Sequence, residues 1–403
     1  MKEICIIKYP GDTAIYGIGT YFEEYVYYFK NTGCKINLIE IENKLTDFYI
    51  KEDGNIRQIH IPFVKIPEIE KHNKGICRLL QLYIEDSENL VFHFQYPGND
   101  NFLEIITKYF PLSKLVHTIH YFNWIRQINN DISLFEKIIK KKEDKKIKTS
   151  YRQVIDDYNK EKSYLEKQDH IICLSDDTYD LIKNVYQINS KLWLIPNGLR
   201  EKNKRLSERQ KMDLRKKYYI RTEEKILLYV GRIEPAKGIY TLVSCFDEII
   251  SNYPDCRLVI IGDGDIDGVI KECGSFLSKV IFTGRIEKKK LFQWYQIADI
   301  GLFPSYIEQC SYVGIEMMMH GLPVVASDGF GVKNMFHDRV NAKIAKIGNR
   351  KNLNEYRKNL KNSVIELLNS DLSEMQKAAR KEYNSKYSIE NMQKKYTELI
   401  NSL

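Results

Sequence analysis

The sequence predicts an α/β protein built as two Rossmann-like halves, and three observations carry that prediction. Short apolar runs alternate with longer amphipathic or charged stretches along most of the chain, the pattern of strands joined by crossover helices. These runs fall into two sets, and the 403-residue chain is longer than the roughly 250–300 residues that one hydrophobic core organises. In the run 300–326, an apolar strand ending at Pro304, a polar loop, a helix-compatible stretch and Gly321-Leu-Pro-Val-Val-Ala326 follow one another. That order is helix stop, turn and next buried strand.

In the first half, β-like runs are expected at 4–8, 36–41, 59–64, 90–95, 114–120 and 170–174. In the second they are expected at 226–230, 257–261, 280–283, 300–303, 324–326 and 342–347. Trp193-Leu-Ile-Pro-Asn-Gly-Leu199 and the charged 200–217 mark the crossing, so the predicted division is 1–198 and 199–385. The segment 126–166 interrupts the first half as a charged, helix-compatible insertion. After Gly348, periodic apolar positions predict terminal helices over 353–368, 372–383 and 388–400.

Composition narrows the class. Hydrophobic residues at 43% suffice for two cores, and the N-terminal apolar run is too short for a signal peptide. With no segment near the ~18 apolar residues of a membrane span, a cytoplasmic protein is expected. Eight dispersed cysteines without a Cys-x-x-Cys pair are expected to be reduced core thiols. A net charge of +8 is modest for this length, and no nucleic-acid motif appears.

Two glutamates, Glu308 and Glu316, carry the strongest chemical signal. Glu308 lies in the loop after the strand 300–303, and Glu316 lies in a helix expected to start near Ser311, a favourable N-cap residue. Ligands of open α/β sheets bind beyond the carboxyl ends of the strands, so both carboxylates are expected to face one cleft. In Val230-Gly-Arg-Ile-Glu-Pro-Ala-Lys-Gly238, Arg232 and Lys237 follow another strand. A forked guanidinium and a mobile ammonium can neutralise a diphosphate. Gly17 and Gly19 follow the first strand and precede a helix, where glycine lets backbone N–H groups approach a phosphate or hydroxyl.

The stretch 303–326 resembles the Glu-x7-Glu signature of the retaining nucleotide-sugar glycosyltransferases of family 4, and 230–238 resembles that family's Gly-Arg-x4-Lys-Gly element. The resemblance implies the GT-B architecture: two Rossmann-like domains facing a central cleft, with the terminal helix, 386–403, returning to the first domain. It implies that Glu316 meets the ribose hydroxyls and Glu308 the sugar hydroxyls, helped by N–H groups around Cys310, Ser311 and Tyr312. Carboxylates suit diols because each accepts two hydrogen bonds. Leu258-Val-Ile-Ile-Gly262-Asp-Gly264 and Val280-Ile-Phe-Thr283-Gly284-Arg285, with Ile286 following, match the family's turns near the nucleotide base. His120, in Thr-Ile-His-Tyr, corresponds to the family's histidine that contacts the transferred sugar. Asn197-Gly198 matches the Asn-Gly near its hinge. Gln309-Cys310-Ser311 replaces the commoner Pro-Phe-Gly, and Lys333-Asn334 stands where the family often has a glutamate.

The expected activity is therefore retaining transfer from a nucleoside-diphosphate sugar, UDP-linked in preference, to an unidentified glycan, lipid-linked sugar, peptide or small molecule. In the resemblance, the departing phosphate takes the acceptor proton, so no general base is assigned. No Asp-x-Asp pair is placed to bridge phosphates, so neither a metal nor a resident cofactor is expected. Tyr121, Asn123 and Trp124 are candidate acceptor contacts, and Tyr151, Tyr158 and Tyr164 offer stacking surfaces in the insertion. The lysine-dense 137–148 offers contact with an anionic acceptor or the inner face of a membrane, against the alternative of a solvated helix pair. Two other readings remain open: a catalytically inactive GT-B partner of another transferase, and a retaining glycosidase, which would need no phosphate clamp.

Overall fold

The computed structural model describes residues 1–8, 17–30, 32–42, 46–62, 68–96, 100–188, 191–350 and 352–403. The chain divides into two compact units. One comprises Met1–Ile128, Ile132–Pro196 and Met392–Leu403, the other Asn129–Asp131 and Asn197–Asn391.

The first unit is built on an eight-stranded sheet. Its strands are β1 (Glu3–Lys8), β2 (Lys35–Glu42), β3 (Tyr49–Asp53), β4 (Ile56–Pro62), β5 (Leu90–Phe94), β6 (Lys114–Ile119), β7 (His170–Cys173) and β8 (Leu192–Leu194). They lie in the order β3-β4-β2-β1-β5-β6-β7-β8. All neighbours are parallel except the antiparallel pair β3 and β4. Ile4, Cys5, Ile6 and Ile7 are all buried, as a strand covered on both faces requires. The sequence reading had no strand at β3, whose Tyr-Ile-Lys-Glu-Asp is mostly exposed, or at the three-residue β8. The predicted strand end at 63–64 lies outside the described residues.

The insertion folds as helices Ile132–Lys140, Lys145–Ser150 and Arg152–Glu166. Asp144 caps the second by accepting from the backbone N–H groups of Lys146 and Ile147. Helix Ile389–Ser402 ends the chain, and from Met392 it belongs to the first unit. There the Tyr396 and Tyr21 hydroxyls meet at 2.6 Å and the Tyr396 ring packs edge-on against Tyr25.

The second unit carries six parallel strands: β9 (Lys225–Val230), β10 (Cys256–Ile261), β11 (Val280–Gly284), β12 (Ile300–Phe303), β13 (Val324–Ser327) and β14 (Lys343–Ala345). Their order is β11-β10-β9-β12-β13-β14. The chain works outward from β9 on one side, then returns to place β12 on the other. Open α/β sheets take ligands at such a reversal, here at the carboxyl ends of β9 and β12. In the first unit the corresponding reversal lies between β1 and β5. Leu227, Leu258, Ile260 and Leu302 from the sheet pack with Phe246 and Tyr356 from the helices to form the core. All eight cysteines are buried and unbridged.

Candidate active site

The loops leaving β9 and β12 are joined through their backbones. Tyr306 N–H donates to the Ala236 carbonyl at 2.9 Å. This contact brings one cation and one glutamate of the sequence reading together: Lys237 Nζ lies 2.7 Å from Glu308 Oε1, with both side chains largely buried. Arg232, 43% exposed, pairs with Glu234 at 2.9 Å. Each cation is thus engaged by its own carboxylate, Arg232 by Glu234 and Lys237 by Glu308.

Glu308 is held from a third strand as well. Its N–H donates to the Phe330 carbonyl at 2.9 Å, and Ile307 forms a bridge with Phe330. Gly331 explains why this approach is possible. Its φ is +71°, and a Cβ there would stand 1.9 Å from the Glu308 carbonyl oxygen. The glycine-rich segment beyond β13 therefore buttresses the Glu308 loop with backbone, and Lys333 and Asn334 follow that buttress.

Glu316 occupies different surroundings. Helix Tyr312–His320 begins after Ser311, which has the extended backbone of an N-cap but makes no side-chain cap bond. Glu316, only 4% exposed, accepts a hydrogen bond from the Tyr295 hydroxyl at 2.8 Å. Burial pushes its carboxyl up to about 7, and the Tyr295 bond opposes that shift in part. Tyr295 belongs to helix Lys288–Ile297, and spacing alone gave no sign of it. His320 closes this side, with Nδ1 3.0 Å from the Glu316 carbonyl oxygen.

Asn197 Nδ2 donates to the Cys310 carbonyl at 2.6 Å, fixing the peptide that leads into helix Tyr312–His320. Burial pushes the Cys310 thiol up to about 12, so it is a neutral wall residue at ordinary pH. Tyr312 is buried as well. On the other side of β9, the turns after β10 and β11 touch through Gly262 N–H and the Gly284 carbonyl at 3.1 Å. Gly262 and Gly264 have φ of +149° and +140°, and a Cβ on either would strike the backbone of the β9 loop, at Gly231 and Ile233. Close loop packing accounts for these glycines before any ligand is considered. Thr283 donates to the Gly284 carbonyl, Arg285 is exposed and Ile286 is half-buried.

In the first unit, Gly17 and Gly19 stand in the first turn of helix Gly17–Lys30. The residues 14–16 that lead into them lie outside the described residues. His120 follows β6, and its Nε2 lies 2.9 Å from Gln95 Oε1, just beyond β5. Desolvation pushes its imidazole down to about 3, so it is neutral. His93 is a satisfied core residue between the Tyr25 hydroxyl at 2.6 Å and the Thr118 hydroxyl at 2.8 Å.

Tyr121 is 41% exposed and Asn123 is exposed, but Trp124 is fully buried and cannot meet a ligand. It stacks on Phe135 at 3.4 Å, and its indole N–H donates to the Tyr186 hydroxyl at 2.7 Å and to Glu161 at 3.1 Å. Tyr158 and Tyr164 are likewise buried, because they form the face by which the insertion helices pack, and only Tyr151 retains partial exposure. A cavity of about 1090 Å³ opens near the amino ends of β9 and β12, lined by Lys225, Asp299, Pro323 and Arg380 among others. None of the predicted site residues lines it, and sheet topology favours the opposite, carboxyl ends for ligand recognition.

The two parallel-sheet units, with a terminal helix returning to the first, make this a GT-B fold. It is similar over 100% of the chain to sucrose-phosphate synthase from Thermosynechococcus elongatus, with a TM-score of 0.75, 19% identity and 99% of that chain covered. It is also similar to Anabaena HepE in complex with UDP and glucose, with a TM-score of 0.69, 13% identity and full coverage of both chains. In sequence, residues 210–382 match the family described as glycosyl transferases group 1. Among curated relatives, alpha-monoglucosyldiacylglycerol synthase of Streptococcus pneumoniae is 27% identical over 185 residues, 44% of this chain and 42% of that protein. The chain thus matches less than half the length of that relative.

Proposed function

We propose that this protein is a glycosyltransferase that moves a sugar, with retention of anomeric configuration, from a nucleoside-diphosphate sugar to an acceptor. The observation that supports the reading is the 2.7 Å pair of Lys237 and Glu308 beyond the carboxyl ends of β9 and β12, a lysine suited to a diphosphate beside a carboxylate suited to sugar hydroxyls. Both residues lie within the family-matched segment. Arg232 and Lys237 neutralise the leaving diphosphate without a divalent cation, Glu316 accepts from the ribose hydroxyls, and Glu308 orients the transferred sugar. His120 contacts the same sugar, and the departing phosphate takes the acceptor's proton as the new glycosidic bond forms on the same face. A uridine diphosphate donor is favoured, since UDP is the nucleotide in the Anabaena HepE structure.

A panel of nucleotide sugars, scored for nucleoside diphosphate release with and without candidate acceptors, tests the activity. Proton NMR of the glycoside formed tests retention. Absence of release from every donor, with the protein shown to be folded, would overturn the proposal.

A further inference from the structure

Gln95 is 99% buried at the end of β5, and burying an amide is costly unless it is hydrogen-bonded. Its side chain is engaged by the Tyr21 hydroxyl and by the His120 imidazole. A leucine of similar size would fill the space without that cost, so the polar contacts the glutamine makes point to its use. The contact to His120 joins Oε1 and Nε2 at 2.9 Å. A carbonyl oxygen can only accept, so His120 Nε2 must carry the proton.

Resting on the function proposed above, we propose that Gln95 is a positioning residue that fixes His120 in the Nε2–H tautomer, leaving Nδ1 as a hydrogen-bond acceptor for a hydroxyl of the transferred sugar. The surroundings support this assignment. His120 is neutral, so its two nitrogens differ and one lone pair is available. The Tyr21 ring stands edge-on to the imidazole at 4.9 Å, and the Tyr21 hydroxyl is tied to Tyr396 at 2.6 Å, which limits rotation of the ring plane. His120 as a whole residue is half-buried. In this state His120 accepts a hydrogen bond from a sugar hydroxyl, whereas the other tautomer would present an N–H there.

Long-range proton–nitrogen NMR of protein labelled with nitrogen-15 in histidine reads the tautomer directly, with the His120 signals assigned by their loss in His120→Asn. The parent is expected to show the Nε2–H pattern from pH 6 to 8. Gln95→Leu is expected to give a mixture of tautomers, and Gln95→Glu, which keeps an acceptor at the same place, to restore the Nε2–H pattern. An Nδ1–H pattern in the parent, or an unchanged pattern in folded Gln95→Leu, would overturn the assignment.

Titration with UDP-glucose and with UDP as probes separates this inference from the function itself. UDP-glucose, and not UDP, should move the Nδ1 resonance in the parent. In Gln95→Leu the affinity for UDP should stay within about twofold, while release of UDP from UDP-glucose falls about tenfold, the loss of one oriented hydrogen bond. If UDP perturbs the protein but UDP-glucose leaves His120 unmoved, the acceptor role fails and the nucleotide-binding reading stands. If neither probe perturbs the protein, the uridine diphosphate donor and the sugar contact of His120 both fail, whatever the tautomer proves to be.

Discussion

Lys237 and Arg232 bear the same charge but are expected to fail differently when replaced. Lys237 neutralises Glu308, whose side chain is about 10% exposed, so Lys237→Met strands a carboxylate and should cost about 1–3 kcal/mol of stability. Arg232 is 43% exposed, and Arg232→Ala should leave the denaturation midpoint unchanged. Both should lower nucleotide-sugar turnover by about 30- to 1000-fold, the range for a preorganised charge in a leaving-group site. Adding Glu308→Gln to Lys237→Met should recover stability but not turnover, and a denaturant series beside an activity assay reads both. Replacing Glu316 separates another role: Glu316→Gln should weaken nucleoside diphosphate binding in calorimetry, while Glu308→Gln leaves binding nearly intact and lowers transfer. Equal losses in the two variants would contradict that division. The residue types at this site were legible from spacing, but the Lys237–Glu308 pair was not, because it joins loops 71 positions apart.

Helix Arg152–Glu166 shows how an element can look like a ligand surface and prove to be a wall. Its tyrosines point inward, and Glu161 accepts from Trp124 and from the Tyr186 hydroxyl. Burial pushes the Glu161 carboxyl from 4.5 up to about 7. A carboxyl raised on folding stabilises the fold while protonated, so that contribution is full below 4.5 and is lost as the pH climbs to about 7. The loss should be about 3 kcal/mol in the first unit, by the energy equivalent of a pKa difference. Glu161→Gln should flatten it in denaturation curves followed by tryptophan fluorescence; a pH dependence identical to the parent's would refute the account. At the Glu308 loop, Gly331→Ala should cut transfer more than tenfold, because a β-carbon cannot coexist with the Glu308 carbonyl in its present place. A crystal structure of that variant with the 305–311 loop unmoved would show the argument to be wrong. The buried parallel strands were readable because their apolar runs are continuous. Strand β3 was not, since an exposed edge strand carries polar residues, and the inward face of the insertion was hidden because its aromatics have partners distant in sequence.

At the scale of the whole molecule, the first unit is discontinuous in sequence, with its last piece arriving at Met392–Leu403. Tyr396 meets Tyr21 and Tyr25, and Lys395 donates to the Leu194 carbonyl at 2.8 Å, so this piece is part of the unit's packing. Truncation after Asn391 should therefore raise amide exchange in helix Gly17–Lys30 while β9, β10 and β12 keep their protection, which hydrogen-exchange mass spectrometry can resolve by segment. Equal loosening of both units would reject that separation. The same arrangement sets an order of events at the ribosome. Domains commonly fold as they are synthesised, the N-terminal one first. Here the tyrosine-rich face of helix Gly17–Lys30 stays uncovered until translation has passed through all of the second unit and Met392–Leu403 has been made. Of the two units, the one made first is therefore completed last, and while the second unit is being made the nascent chain carries an open aromatic surface of the kind that chaperones bind.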